Sequence, residues 1–579
     1  MPAMREIATD ILILGSGGAG LFAALHAHKA APELAITVAV KGLLGKCGCT
    51  RMVQGGYNVA LAAGDSVERH FMDTIEGGKW LPDQELAWKL VTLAVERIRE
   101  LENELGCFFD RNPDGTVHQK AFAGQTFDRT VHKGDLTGIE IINRLAEQVW
   151  ARKIARLEEH RALELVKTAS GDALAGVLMT DMRTGEYLFV RAKAVLLATG
   201  GGPTMYKYHT PSGDKSCDGL AMALRAGLAL RDMEMVQFHP TGLLAGTHTR
   251  MTGTVLEEGL RGAGGYLLNG AGERFMQRYD PRGERATRDV VSRAMFSEMR
   301  AGRVTPNGGL HIAMAHLGPD KVRKMFKGMV ERCADCGFDL AGGLVEVVPT
   351  AHYMMGGVEF APDCATALPA LYVAGEDSGG VHGANRLGGN GVANSTVFGA
   401  VAGDAMAAWV RKDGALRAPD RAALEAVIER CERPFARGRS AGHGALEPLR
   451  ERLYEAMWDK VGILRDAAGL RAGLAELASI EASLEDYRLS DMSRAFSLSW
   501  HDWLNLKSLA QVSRVITEAA LARENSRGAH FRTDFPQAGA LEHSAYTSAR
   551  LEGDALEIAL KPVVFTRVRP GESLLRDAA

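Results

Sequence analysis

The chain of 579 residues lacks the features that would place it in a membrane, a secreted or a nucleic-acid-binding class. No apolar run approaches the roughly 20 residues needed to span a bilayer, and the start MPAMREIATD lacks the basic end and apolar centre of a secretory signal. Eight scattered cysteines form no disulfide framework and suit a reducing compartment. The formal net charge of −3 argues against broad attraction to nucleic acid or anionic lipid. We therefore expect a cytoplasmic protein without nucleic-acid binding or direct membrane insertion.

Cysteine patterns typical of metal centres are also missing. Cys333 and Cys336 form a CxxC, but no second CxxC or histidine pair follows at the spacing of a zinc site, which favours ordinary thiols. The sequence has no ferredoxin-type cysteine cluster, so the chain cannot carry an iron–sulfur centre of its own. We predict no metal site.

A glycine-rich turn lies near the start of the chain. An apolar strand at residues 11–14 is followed by Gly15, Gly17 and Gly20 and then by an alanine-rich helix. Glycines in such a strand, turn and helix unit let the backbone approach a pyrophosphate, whose charge the helix N-terminus attracts. The unit therefore predicts dinucleotide binding.

Three later segments extend the same pattern. The strand at residues 34–40 ends at Lys41, where a nicotinamide-binding unit would place an acidic residue, so NAD is disfavoured. Residues 192–202 and 370–376 are apolar runs that also end in glycines. Because the carboxyl ends of parallel strands meet at the ligand-binding edge of an open sheet, these segments should converge on one site.

Length and periodicity predict an α/β fold with several domains. The chain is too long for a single core, and from residue 411 apolar residues recur at intervals of three and four, which indicates helices. We predict a Rossmann-like dinucleotide-binding domain in two parts, an inserted lobe, a C-terminal helical domain and a strand-like tail. Their ranges are 1–240 and 346–410, 241–345, 411–540, and 541–579.

Several short stretches combine glycine with ionisable side chains. They are QGG (54–56), ATGG (198–201), QFHPTG (237–242), EEGLRGAGGYLLN (257–269), RDVVSR (288–293), HYMMGG (352–357), GANRLGGN (383–390) and SRGAHFRTDFP (526–536). Together with GSGGAG at the first turn, they resemble the flavoprotein subunit of succinate dehydrogenase and fumarate reductase, the family that includes L-aspartate oxidase. The resemblance covers nearly the whole chain.

This resemblance implies a fold and a reaction. The expected fold is an FAD-binding domain, an inserted α+β capping domain and a C-terminal helical domain. The expected reaction is exchange of a hydride between flavin N5 and a carbon next to a substrate carboxylate. Fixed cations would hold the carboxylate, and closure would exclude the water that screens them.

The resemblance also assigns roles to individual residues. Arg386 takes a substrate carboxylate in a bidentate pair, for which its planar fork is suited, and His352 assists it. Arg288 is the proton donor or acceptor. Because an arginine has a pKa above about 12, it needs a relay, which Glu258 and Arg261 would supply.

Further substrate and cofactor contacts follow by position. His239 would contact the other end of the substrate, and Phe122 and Gln125 lie in the segment beside it. The predicted FAD contacts, among which Glu376 is the ribityl partner, are Gly15, Gly17, Gly20, Lys41, Thr50, Gly55, Gly56, Glu376, Arg386 and Asn390.

For three of these residues a purely structural role remains an alternative to the functional one. Arg386 could brace the glycine-rich backbone, and His352 could be a satisfied core histidine. Arg288 could be a surface residue that pairs with Asp289 or Glu284.

The sequence departs from the family at two positions. Members that convert succinate and fumarate have Thr-Glu where this chain has Glu257-Glu258. A carboxylate at Glu257 would repel a second substrate carboxylate and favour a far end with an amine, imidazole, hydroxyl or amide. Alternatively, Glu257 could rotate into the network of Arg261 and Arg288.

The second departure concerns flavin attachment. Respiratory members bind FAD covalently through a histidine, whereas this chain reads Gly48-Cys49-Thr50 at that place. We predict noncovalent FAD, with Cys49 as an ordinary loop cysteine rather than a thiol link to the flavin.

The leading hypothesis is an FAD-dependent oxidoreductase that acts on the CH–CH group of a small carboxylate. An alternative is L-aspartate oxidase-like amine oxidation with oxygen as acceptor. Another is a flavoprotein subunit that relays electrons to an iron–sulfur partner, which could hold the cytoplasmic chain at the periphery of the inner membrane.

Overall fold

A mixed sheet of seven strands forms the centre of the molecule. The computed structural model describes residues 4–246, 249–436, 446–553 and 555–575. The strands run in the order Ala155–Leu157, Ile36–Ala39, Met4–Leu14, Tyr187–Leu197, Leu174–Asp181 and His160–Lys167, and Leu371–Val373 also pairs with Tyr187–Leu197. The two strands at the far edge are antiparallel, whereas the others are parallel.

Four parallel strands end in register at one edge of this sheet. Leu14 pairs with both Ala39 and Leu197, and Leu197 also pairs with Val373. The predicted convergence of the strand ends is therefore present. Loops that follow these strands are positioned by a rigid, fully buried scaffold.

Helices cover this domain, and a small second sheet lies beside it. The main helices are Gly18–Ala30, Val67–Gly77, Gln84–Asn103, Thr137–Ala151, Asp218–Arg225 and Asn390–Lys412, and the short strands are Tyr57–Asn58, Gln119–Lys120 and Thr130–Val131. Gly18–Ala30 is buried along nearly its whole length and packs mainly on Asn390–Lys412. This explains why its sequence is apolar on all sides rather than amphipathic.

The inserted lobe has its own antiparallel sheet and its own apolar core. The strands run in the order Val236–Leu243, Leu344–Met354, Leu310–Ala313 and Tyr266–Leu268, and the helices are Gly259–Gly262, Arg288–Arg300, Pro319–Met325 and Lys327–Asp335. The first two strands extend beyond the predicted range of 241–345 on both sides. They are continuous connections between the lobe and the domain of the seven-stranded sheet, the predicted FAD-binding domain, so no change of composition marks the boundary.

The last part of the chain is helical and ends in a hairpin. Its helices are Arg421–Glu432, Glu447–Glu455, Ala467–Asp486 and Leu498–Ala522, and the hairpin strands are Ala545–Glu552 and Ala555–Pro562. The hairpin pairs with Leu230–Arg231, which in turn pairs with Gly357–Val358. The tail is therefore part of a sheet with the FAD-binding domain. No helix in the described ranges is long and apolar enough to cross a bilayer.

A buried ionic cluster fixes this hairpin in place. Arg523 donates to Glu234 at 2.5 Å and to Asp232 at 3.3 Å, and Thr547 on the hairpin donates to Glu234 at 2.6 Å. Burial raises the pKa of Asp232 to about 6, although Arg231 opposes this. The side chains of Asp232, Glu234 and Arg523 are at most 2% exposed.

Replacing Thr547 with valine should destabilise the protein. Thr547→Val keeps the shape but removes a donor from the buried Glu234 carboxylate, which should lower the free energy of unfolding by about 1–3 kcal/mol. Thermal unfolding followed by circular dichroism checks this, with Thr566→Val as the matched control, because Thr566 donates to Glu85 on the surface. Equal midpoints for the two variants would contradict the role of the cluster.

Candidate active site

An elongated cavity opens at the edge where the four parallel strands end. Its main chamber has a volume of about 420 Å³ and lies between the FAD-binding domain and the inserted lobe. A smaller chamber of about 60 Å³ continues from it past the first glycine turn. Both chambers are lined by Gly17, Gly48, Gly200 and Lys215.

The first glycine turn can approach a ligand closely because side chains are excluded there. Gly15 has φ +110°, and a Cβ on it would lie 2.1 Å from the carbonyl oxygen of Ala198. A Cβ on Gly20 would lie 2.0 Å from the carbonyl oxygen of Gly15, so Gly20 permits the close packing of helix on strand. Gly15 lines the smaller chamber and Gly17 lines both. Gly20 supports the turn from behind.

Other residues predicted to bind the cofactor also line the two chambers. Thr50, Gly55, Gly56, Glu376 and Arg386 line the main chamber, and Lys41 lines the smaller one. Glu376 accepts from the backbone amides of Met354 and Gly202 through Oε1 alone. Lys41 donates to Ser216 and Asp218 at 3.0 Å each. A long cavity with a glycine turn in one chamber and a carboxylate in the other fits FAD.

Asn390 is placed differently from the prediction. Its side-chain oxygen accepts from Asn58 and His70, and its nitrogen donates to Thr74. The amide is therefore committed to the protein interior. The neighbouring glycines, Gly389 and Gly391, line the cavity instead.

Arg386 is a buried cation with few acceptors from the protein. Its guanidinium lies 4.4 Å from the centre of the Tyr353 ring, Nη1 is 3.5 Å from the Leu387 carbonyl, and Nε is buried without a hydrogen-bond partner. Burial, followed by the nearby Arg288, lowers the pKa of Arg386 to about 10. A carboxylate in the cavity would supply the missing acceptors.

Arg288 lines the same chamber, and its counter-ion lies beside it. Its Nε and Nη2 donate to Oε2 of Glu258 at 2.9 and 2.5 Å, and Nη1 donates to Gln237 at 3.0 Å. Arg261 donates to the other oxygen of Glu258 at 3.2 Å. Burial disfavours ionisation of Glu258, but the two arginines hold its pKa below the ordinary value.

The surface alternative for Arg288 is wrong. Arg288 is 7% exposed, and the two acids proposed as its surface partners have other partners. Asp289 pairs with Arg293, and Glu284 pairs with Arg274. Arg261 lies behind Glu258, not on the cavity wall, which is the position required of a relay residue.

His239 and His352 are neighbours on adjacent strands of the lobe. Both line the cavity, and their ring centres are 5.4 Å apart. The Nδ1 atom of His352 is 2.7 Å from the Thr210 hydroxyl. Burial, followed by Arg288, lowers the pKa of both imidazoles well below the ordinary value. They are therefore neutral hydrogen-bonding groups.

Glu257 lies on the cavity wall but outside the network of Arg261 and Arg288. Its Oε2 accepts from Lys120 at 3.4 Å, so the alternative that it rotates into that network is wrong. Burial raises the pKa of Glu257, and Lys120 opposes this effect.

Of the two residues in the FAGQ segment, only Phe122 reaches the cavity. It lines the chamber, and a Cβ on Gly55 would lie 2.7 Å from its ring, so a larger residue at position 55 would displace the ring. Gln125 instead donates to Asn58 and to the Gly388 carbonyl behind the cavity wall. It supports the loop that carries Arg386.

Sequence reasoning missed several residues at this site, including four beside the predicted ones. Gln237 contacts Arg288, Tyr353 lies under Arg386, Lys120 pairs with Glu257, and Arg332 lines the chamber. Tyr353 and Gln237 fall within HYMMGG and QFHPTG, so those motifs contained a usable signal. No motif marks Lys120 or Arg332.

The two cysteines of the CxxC motif lie at the end of a helix in the lobe. Cys333 is buried and Cys336 half-buried, and both are free thiols. No cluster of three or more histidine, cysteine or acidic residues suited to a metal ion occurs among the residues the structure describes.

Comparisons with known proteins agree with this geometry. The family model described as "FAD binding domain" matches residues 10–392, and the model "Fumarate reductase flavoprotein C-term" matches residues 450–574. One subunit of the fumarate reductase (CoM/CoB) of Methanothermobacter marburgensis is 40% identical, covering 91% of this chain and 94% of the relative. The Escherichia coli fumarate reductase flavoprotein subunit is 32% identical over 100% of this chain and 98% of its own.

A solved structure extends the likeness to three dimensions. A mutated quinol fumarate reductase of Escherichia coli superposes with a TM-score of 0.91 at 32% identity, covering 98% of this chain and 99% of the other. The chain therefore belongs to the fumarate reductase and succinate dehydrogenase flavoprotein family, whose members are FAD-dependent oxidoreductases.

Proposed function

We propose that this protein reduces the carbon–carbon double bond of a small unsaturated acid of the fumarate type, with noncovalent FAD. One observation carries the proposal: Arg386, buried with an unpartnered Nε, lies on the same cavity wall as Arg288 and its acid partner. Two arginine side chains from separate segments therefore line one cavity that is large enough for a small ligand.

In this proposal Arg386 and His352 bind the carboxylate next to the reacting carbon. The guanidinium fork meets both carboxylate oxygens, and the neutral His352 adds a hydrogen bond. The positive charge of Arg386 draws electron density from the bound carboxylate, which makes the neighbouring double bond more electrophilic. The effect is stronger in a buried site because water does not screen the charges. Bound FAD would supply the hydride to that bond.

Arg288 delivers the proton to the neighbouring carbon. Glu258, held by Arg288 and Arg261, provides the route by which the lost proton is replaced. Burial lowers the pKa of Arg261, although Glu258 opposes this.

An anaerobic reoxidation experiment tests the proposal. The flavin of the purified holoprotein is reduced photochemically, and fumarate or its monoamide is then added. We expect the oxidised flavin spectrum to return with one equivalent of saturated product per flavin. If neither acid reoxidises the flavin while L-aspartate, tested separately in air, is oxidised with uptake of oxygen, the amine-oxidase alternative is correct and the proposal fails.

The amine-oxidase alternative has less support from the site. It requires Glu257 to be free to attract a substrate ammonium group. Lys120 already balances the charge of Glu257, which weakens that attraction.

We also propose that the electrons come from an iron–sulfur protein that binds the chain at the cavity mouth. Met52 and Leu136 support this: both line the main chamber, and they are 45% and 52% exposed. Such a partner would hold the chain at the periphery of the membrane. Copurification of stoichiometric iron from the native organism checks it, and a purely yellow, iron-free preparation would contradict it.

The flavin should be released completely on denaturation. Burial raises the pKa of the Cys49 thiol to about 12, so the reactive thiolate is disfavoured. Precipitation with acid should leave all of the FAD in the supernatant, for the natural protein and for Cys49→Ser alike. Yellow colour that stays with precipitated natural protein but not with Cys49→Ser would show a thiol link.

A further inference from the structure

The ion pair of Lys120 and Glu257 crosses the boundary between two domains. Lys120 ends a short strand of the FAD-binding domain, and Glu257 lies just before a helix of the lobe. Their side chains are 20% and 7% exposed. Within the described part of the chain, Lys120 is the one side chain that donates a hydrogen bond to Glu257.

Glu257 and Arg386 have separate partners in the chamber that both of them line. Glu257 pairs with Lys120, whereas the guanidinium of Arg386 lies over the Tyr353 ring and near the Leu387 carbonyl. In the proposed binding mode Arg386 holds the near carboxylate of the substrate, which leaves the far end to meet Glu257.

The chemistry of Glu257 determines which far end it can accept. An ionised carboxylate accepts hydrogen bonds but donates none, and two carboxylates in contact repel strongly in a buried setting. Lys120 lies 3.4 Å from Oε2 of Glu257 and reduces that repulsion. It does not make Glu257 a hydrogen-bond donor. A carbamoyl group fits better, because its N–H donates to Glu257 and it carries no charge.

We infer that Glu257 is a specificity-determining residue that favours an unsaturated acid with a hydrogen-bond-donating group, such as a carboxamide, at its far end. Lys120 is a positioning residue that keeps Glu257 ionised and directed into the chamber. This inference rests on the proposed function and names the substrate class of the same site.

The matched pair of fumarate and its monoamide tests the role of Glu257. The two acids differ by one terminal group of nearly equal size. For the natural protein we expect kcat/KM to be about tenfold higher or more for the monoamide. Glu257→Gln and Glu257→Thr should abolish or reverse that ratio, and calorimetric binding of succinamate and succinate should change in the same direction.

The role of Lys120 is tested by the pH dependence of the substrate preference, which a purely structural role would not change. Without Lys120, Glu257 keeps Asp135 as an acidic neighbour and Arg332 as a cation, and burial favours its protonated form. The pH below which the preference for the monoamide is lost should therefore be higher in Lys120→Met than in the natural protein. Lys120→Arg should keep the pH profile of the natural protein.

The outcomes separate this inference from the proposed function. If neither acid reoxidises the flavin, the proposed function fails. If both acids react but the natural protein prefers fumarate, or if Glu257→Gln leaves the ratio unchanged, only the inference is overturned. The same pH profile of the ratio in Lys120→Met as in the natural protein would overturn the positioning role.

Discussion

Arg288→Lys should lower the rate of flavin reoxidation by about 10²–10⁴-fold, the range typical of a lost general acid. Lysine keeps the positive charge, but its single nitrogen cannot replace the three contacts that the guanidinium makes with Glu258 and Gln237. The proton donor then moves away from the reacting carbon and loses its relay. Stopped-flow absorbance of the reduced holoprotein mixed with the acid measures the rate.

A second arginine on the same helix provides the control. Arg300 is at the exposed end of the helix and donates to the Asp459 carbonyl, far along the helix from Arg288. Arg300→Lys should therefore leave the rate within about threefold of the natural protein, since surface substitutions have small effects. Turnover that survives Arg288→Lys would show that another group donates the proton.

Arg386→Met should weaken binding of the acid by about 2–5 kcal/mol, the range for removing one partner of a buried charge pair. Methionine fills much of the arginine volume but offers no donor to the carboxylate. The dissociation constant, taken from the concentration dependence of flavin reoxidation, should rise by about 30-fold to several thousandfold. Flavin content, measured on the same samples, corrects for any loss of cofactor.

This variant also decides between the two interpretations of Arg386. If the side chain only braces the glycine-rich loop, Arg386→Met would lower thermal stability while the dissociation constant of the acid stayed the same. Among the described residues, the guanidinium of Arg386 donates one hydrogen bond to the backbone, a long one of 3.5 Å to the Leu387 carbonyl. We therefore expect the binding effect to dominate.

The sequence was sufficient to predict the scaffold of the site. Alternation of apolar strands and glycine turns identified the strands that end at Leu14, Ala39, Leu197 and Val373, and the register brings these ends together. Such strands are buried on both faces, which produces the continuous apolar runs that make them recognisable. The motif residues that follow them lie on the cavity wall for the same reason.

Contacts that depend on strand register could not be predicted. His239 pairs with Thr350 across two antiparallel strands, so His352 lies two residues further along on the same face. The ladder also has irregularities between Gln237 and Phe238 and between His239 and Gly242. A one-residue slip would have separated the two histidines.

Contacts between domains were even harder to predict from the sequence. Lys120 and Glu257 are 137 positions apart and meet only because the lobe folds over the FAD-binding domain. A lone lysine in QKAFAG has no local pattern that distinguishes it from a surface charge. The partners of the Asn390 side chain could not be predicted for a related reason, because the identity of a residue does not reveal which neighbours satisfy its amide.

The diamide of fumaric acid provides the most direct test of the central claim, which is that Arg386 binds a substrate carboxylate beside the reacting carbon. The diamide retains the double bond and the size of the acid but has no carboxylate for Arg386. We predict that the reduced natural protein is reoxidised by the monoamide and not measurably by the diamide. Reoxidation by the diamide at a rate similar to that of the monoamide would contradict the claim.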